Sequence, residues 1–83
     1  MNKPLAYRVL RSIVARYGVW EDKSGGRGSH RILRRVAGGR RLWYTVVVHK
    51  QSQVFAASVV KAVRRALLLM PEHGVSDKEF YSD

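Results

Sequence analysis

Two segments with the periodicity of an amphipathic helix flank a central region patterned as β-strands, and this order limits the folds open to the chain. Residues 4–17 carry apolar side chains at the i, i+3, i+4, i+7 spacing of one helix face. Pro4 suits the first turn of this helix and Gly18 suits its end. The second segment runs from Phe55 to Met70, and Pro71 is expected to end it. Its polar side, predicted to face water, comprises Lys61, Arg64 and Arg65.

The central region predicts three strands, at Val19–Asp22, His30–Val36 and Leu42–His49. Gly38 and Gly39 separate the last two strands and supply the positive φ angles that a tight hairpin requires. Leu42–His49 is rich in β-branched and aromatic residues, which favours the centre of the sheet.

The order helix, strand, strand, strand, helix predicts an α+β fold in one domain spanning residues 1–83. Two helices would cover one face of a three-stranded antiparallel sheet, and the other face would meet water. The alternation of side chains does not decide which face is buried. A capping box from Ser76 to Glu79 predicts a short C-terminal helix.

The formal net charge is +10, and no aspartate or glutamate occurs between Lys23 and Pro71. Such a surface attracts polyanions, with nucleic acid as the first candidate partner and an acidic protein as the second. The alternative is that the basic face binds no partner and only keeps the protein soluble. The chain has no cysteine, no apolar run long enough to span a bilayer and no recognisable export signal, so we expect a cytoplasmic protein that does not bind membranes.

Few catalytic reactions are open to this chain, because its three histidines are the only side chains whose ordinary pKa lies near neutral pH. The basic interval has no paired carboxylates, and the histidines lack metal-ligand spacing, so we predict no metal and no cofactor. RNA cleavage fits this inventory, since RNA carries its own nucleophile in the 2′-hydroxyl. A histidine then needs only to transfer protons while cations stabilise the transition state.

Two histidines lie at predicted strand ends. His30 follows a loop in which Gly25, Gly26 and Gly28 could let backbone amides approach a phosphate, and His49 closes the last strand. Either could instead be a surface residue or a strand cap. The aromatic residues Trp43 and Tyr44 could stack on unpaired bases or belong to the core.

Several of these features together resemble the HicA family, the small toxins of HicA/HicB toxin–antitoxin pairs. The resemblance rests on the Gly28-Ser29-His30 step, the Thr45–His49 strand end, the second amphipathic helix and the segment from Gly74 to Phe80. It extends over nearly the whole chain. It implies a fold similar to a double-stranded-RNA-binding domain, cleavage of mRNA without a metal, and inhibition by a HicB-like antitoxin in a hetero-oligomer.

Residue by residue, the resemblance makes His30 the catalytic residue and His49 an auxiliary candidate. From the residues themselves we add Ser29 as a positioning group, and we predict that phosphate is held by Lys23, Arg27, Arg34, Arg40, Arg41 and Lys50. The predicted function is that of a metal-independent endoribonuclease toxin. The alternatives are a non-catalytic RNA-binding module and a protein whose charge serves an acidic protein partner.

Overall fold

Three antiparallel strands form the centre of the fold in the computed structural model, which describes residues 2–23 and 28–82. The predicted α+β order of helix, three strands and helix is confirmed, with a short helix after it. The elements in chain order are β1 (Leu5–Ala6), α1 (Tyr7–Ala15), β2 (Trp20–Asp22), β3 (His30–Ala37), β4 (Arg40–Val47), β5 (Val54–Phe55), α2 (Ala57–Ala66), a 3₁₀ turn (Pro71–His73) and α3 (Asp77–Tyr81).

A tight hairpin joins β3 and β4, in register from His30 opposite Val47 to Ala37 opposite Arg40. Gly38 and Gly39 have φ angles of 58° and 76°, which confirms the predicted positive φ, and the connection is two residues long where the sequence predicted five. The sheet order is β2-β3-β4, so β4 lies at an edge. The prediction that Leu42–His49 lies at the centre was wrong, because β-branched and aromatic composition reports a half-buried strand and not its position in the sheet.

The helices α1 and α2 cover one face of this sheet. Their buried side chains, such as Leu10 and Val63, join Leu33 and Val46 from β3 and β4 in one hydrophobic core. The opposite face, here called the open face, has no helix over it in the described chain. By alternation along the strands it carries Trp20, Asp22, His30, Ile32, Arg34, Val36, Arg41, Trp43, Thr45 and Val47.

Helix α1 begins later than predicted. Leu5 and Ala6 are extended and pair with Phe55 and Val54, which form a second, two-stranded sheet. This pairing satisfies backbone groups that a longer helix would otherwise have used, and it also removes Phe55 from α2. The predicted start at Pro4 was therefore wrong, whereas the end near Gly18, with φ 81°, agrees with the sequence.

Helix α2 ends at Ala66, well before Pro71. Leu68 adopts a φ of 58°, which turns the chain back so that Leu67 and Leu69 are both fully buried. The amide of Leu69 donates to the carbonyl of Arg64 over 2.7 Å and closes the turn. Pro71 starts the 3₁₀ turn that follows, so the prediction that it stops the helix was wrong.

Arg64 was predicted to face water, but its side chain is fully buried. Its guanidinium donates to the carbonyls of Leu69 (2.9 Å) and Val75 (3.1 Å) and to Asp77 Oδ1 (2.7 Å). It also lies 4.4 Å from the centroid of the Phe80 ring. The reversal after α2 creates this site, because it points several oxygen acceptors at one position on the helix.

The C-terminal helix α3 is packed onto the core through buried Phe80. Ser76 Oγ accepts a hydrogen bond from the amide of Glu79 over 3.1 Å, as the predicted cap requires. None of the helices in the described chain is both long and apolar enough to cross a bilayer.

We expect Arg64→Met to lower the free energy of unfolding by about 2–4 kcal/mol, because buried carbonyls and a carboxylate lose their charged donor. Urea denaturation followed by circular dichroism measures this change. Arg65→Met, at the exposed neighbouring position, is the matched control and should change stability by less than about 0.5 kcal/mol. Equal effects of the two substitutions would contradict a structural role for the buried guanidinium.

Candidate nucleic-acid interface

His30 is the first residue of β3 and is exposed on the open face, opposite Val47 of β4. The turn before it includes Gly28, whose φ of 55° favours glycine. The rest of the predicted glycine-rich loop, with Gly25, Gly26 and Arg27, lies outside the described residues. His30 thus stands at the end of the hairpin opposite to the Gly38-Gly39 turn.

His49 lies at the same end of the hairpin. Its Nδ1 is 3.1 Å from Ser29 Oγ, and the carbonyl of Ser29 accepts a hydrogen bond from the amide of Val48 over 2.7 Å. In the Nε2–H tautomer the serine hydroxyl donates to Nδ1, and in the imidazolium Nδ1–H donates to the hydroxyl. Ser29 is thus the chain neighbour of His30 and the hydrogen-bond partner of His49.

Gln53 holds the end of β4 through its side-chain amide. Its Oε1 accepts from the amide of His49 over 2.8 Å, and its Nε2 donates to the carbonyl of Val47 over 2.9 Å. Its own carbonyl accepts from the amide of Tyr7, at the start of α1. Sequence reasoning missed this role, because a glutamine after a turn carries no signal that it will bond a strand end.

A buried carboxylate lies behind this end of the sheet. The Glu21 side chain is 5% exposed, and its oxygens lie 3.4 Å from Arg11, 3.9 Å from Arg31 and 4.0 Å from Lys23. Tyr7 donates a 2.6 Å hydrogen bond to Oε1. Oε2 has no hydrogen-bond partner within the described chain. Glu21 thus lies within 4 Å of cations from α1, from β3 and from the residue that follows β2.

Arg31 extends this cluster to the backbone beside the candidate site, since its guanidinium donates to the carbonyls of His30 (2.9 Å) and Gly28. The cluster therefore helps to hold the turn that presents His30. Sequence reasoning missed Glu21. The available signal was alternation in β2, which puts Glu21 on the core side between two residues of the open face.

Burial, the hydrogen bond to Glu21 and the charge of that carboxylate together raise the pKa of Tyr7 well above its usual value. The neutral phenol is therefore favoured in the folded protein.

The described cations predicted to hold phosphate do not form one cluster, and only Arg34 and Arg41 of them belong to the open face. Lys23 and Lys50 are exposed near the end with the histidines, while Arg40 and Arg41 lie beside the hairpin turn. At about 3.4 Å per residue, β3 separates these two groups by about 24 Å. Arg34 lies between them, with its Nε 2.7 Å from Asp22 Oδ2.

The third histidine has a structural contact elsewhere. His73 Nδ1 accepts a hydrogen bond from the amide of Met70 over 3.1 Å and so closes the 3₁₀ turn. Within residues 2–23 and 28–82, no three side chains of the metal-binding types converge.

No protein-family model, curated protein or solved structure matches this chain. The resemblance to HicA therefore stays a prediction. The fold is that of an α+β domain with one open sheet face. The candidate site is a pair of histidines at one end of a cationic hairpin.

We expect the stability of the protein to fall above pH 10 through Tyr7. The folded pKa is raised, so the linked stability is complete below the unfolded value near 10 and is lost as pH rises past it. By pH 11 the loss from this one group reaches about 1.4 kcal/mol. Urea denaturation at pH 9 and pH 11 measures it. Tyr7→Phe lacks the titrating group, so its loss should be smaller by that amount; an identical loss in both proteins would contradict the assignment.

Proposed function

We propose that the protein is a metal-independent endoribonuclease of the HicA type, the toxin of a toxin–antitoxin pair acting in the cytoplasm. The observation that carries this proposal is the exposure of His30 at the end of the hairpin that also holds a second histidine, His49, hydrogen-bonded to Ser29. A ring sealed in the core could not have reached a substrate. The charge of +10 supports a polyanionic substrate.

The proposed reaction is a transesterification within RNA. One imidazole takes the proton of a 2′-hydroxyl, and the freed oxygen attacks the adjacent phosphorus. As the new O2′–P bond forms, the P–O5′ bond breaks, and the other imidazole gives a proton to the leaving 5′-oxygen. The products are a 2′,3′-cyclic phosphate and a 5′-hydroxyl. No electron is transferred and no further reactant is needed.

His30 and His49 are the proposed pair for these two proton transfers, with Ser29 as a positioning residue. Lys23 and Lys50 are exposed near the same end of the sheet, where their charge would stabilise the pentavalent transition state. Arg34, Arg40 and Arg41 would bind phosphates further along the strand. The antitoxin partner, a HicB-like protein, would form a hetero-oligomer that blocks this activity.

We expect His30→Ala to reduce cleavage of a single-stranded RNA in EDTA by about 10²–10⁴-fold, the usual contribution of a proton-transfer group. Gel analysis of a labelled oligonucleotide measures the rate. His73→Ala is the matched control, because it removes the histidine engaged with the backbone of Met70. A 2′-deoxy nucleotide at the cleaved position should abolish cleavage. Equal rates for the wild type and His30→Ala would remove His30 from the mechanism.

We expect His49→Ala to slow cleavage by about 10²-fold and to remove one limb of the bell-shaped pH profile of the rate. Ser29→Ala should lower the rate less, by about tenfold, since it removes the hydrogen bond that orients the His49 ring through Nδ1. Single-turnover rates from pH 5 to pH 9 measure both effects. An unchanged rate in Ser29→Ala would show that the serine has no part in positioning His49.

A second candidate function is a non-catalytic RNA-binding module, which the exposed tryptophans of the open face also favour. Binding that weakens with salt is common to both candidates, so only cleavage separates them. Failure of the purified protein to retard RNA at low salt would favour an acidic protein partner instead.

A further inference from the structure

We propose that the open face carries a stacking site for unpaired bases, formed by Trp20, Arg34 and Trp43. These residues form one row across the sheet, since Trp20 of β2 and Trp43 of β4 both pair with Arg34 of β3. Strands lie about 4.8 Å apart, so the two indoles are mounted about 10 Å from each other on either side of a guanidinium. This inference rests on the proposed ribonuclease function and names its substrate class, unpaired RNA.

Both tryptophans of the chain are in this row, and neither is used in the core. Trp43 is 60% exposed and Trp20 is 49% exposed. Exposed apolar side chains that lie together beside polar residues mark interaction surfaces, and the two indoles lie in one row on either side of Arg34. Tyr44, the neighbouring aromatic residue, packs against the core and shows the contrast.

Arg34 is held in the row by its ion pair with Asp22, in which Nε lies 2.7 Å from Oδ2. This contact uses one of the five N–H donors of the guanidinium. Beside the row is a cavity of about 290 Å³, lined by Trp20, Arg34, Arg35, Val36, Arg41 and Leu42. Aromatic, aliphatic and cationic groups at one place suit a planar base with its phosphate.

The charge of this surface favours nucleic acid over an apolar peptide. Asp22 is the one acidic residue among the described residues of the open face, and its charge is matched by Arg34. Arg41 adds a further cation near the row. Bases offer their flat faces for stacking only when they are unpaired, so a duplex would satisfy the cations but not the indoles.

The row also lies at a useful distance from the proposed catalytic end. Arg34 is four residues after His30 along β3 and on the same face, which corresponds to about 13 Å. That distance spans about four nucleotides at the stacked spacing of 3.4 Å, and fewer in a stretched strand. A base held at the row would therefore place a phosphate of the same strand at His30.

Tryptophan fluorescence tests the site directly, because both emitting residues belong to it. The probe is a 2′-O-methyl oligonucleotide, which cannot undergo 2′-hydroxyl attack, added as a single strand or annealed to its complement. We expect saturable quenching by the single strand and much less by the duplex. Trp43→Ala should weaken single-strand binding about 5- to 150-fold, the range expected for loss of one stacked base.

Two variants serve as controls for this experiment. Trp43→Phe keeps an aromatic ring and should retain most of the affinity. Val54→Ala truncates an equally exposed apolar side chain on the separate sheet formed by β1 and β5, and should bind like the wild type. Because Trp43 is exposed, Trp43→Ala should unfold at the same urea concentration as the wild type.

The outcomes separate this inference from the function on which it rests. Quenching by the single strand without any cleavage would support the stacking site and leave the protein as an RNA-binding module. Cleavage of RNA by a protein whose emission and affinity do not respond to the probe or to Trp43→Ala would overturn the site, leaving the face to a protein partner. Equal quenching by single strand and duplex would also overturn it.

Discussion

The two long helices cover only one face of the three-stranded sheet. The candidate site and the row of aromatic residues both depend on the other face being left uncovered. Leu33 and Val46 contact the two helices. Because side chains alternate along β3 and β4, the neighbouring residues of each strand point to the opposite face and meet water. A small domain has few such surfaces to offer a macromolecule. Here the uncovered face carries two indoles, two arginines and a histidine together with exposed valines.

The β3–β4 hairpin organises that face lengthwise. One end is closed by two glycines, and the other end holds His30 together with Ser29 and His49. Neither histidine depends on the strand alone. Arg31, paired with Glu21, hydrogen-bonds the backbone of the turn before His30. Gln53 hydrogen-bonds the backbone amide of His49. The positioning of the candidate site is thus shared among residues with no part in the proposed chemistry.

Local patterns in the sequence predicted the helices, the hairpin and the cap of α3, because each depends on residues close together in the chain. The errors involve distant partners. Nothing near Leu5 announces that it pairs with Phe55, and nothing near Arg64 announces the carbonyl of Val75. The histidines could be singled out by type and position, whereas the contacts that hold them, at Gln53 and Glu21, arise only from tertiary packing.

The buried guanidinium of Arg64 also orders events during synthesis. Its carboxylate partner, Asp77, follows it by thirteen residues, and the carbonyl of Val75 by eleven. A nascent chain that ends between them would have to bury an ion without its counter-charge, which is strongly unfavourable. Docking of the helix that carries Arg64 is therefore unfavourable until the segment with Val75 and Asp77 is available, so the covering of the sheet by α2 depends on the last residues to be synthesised.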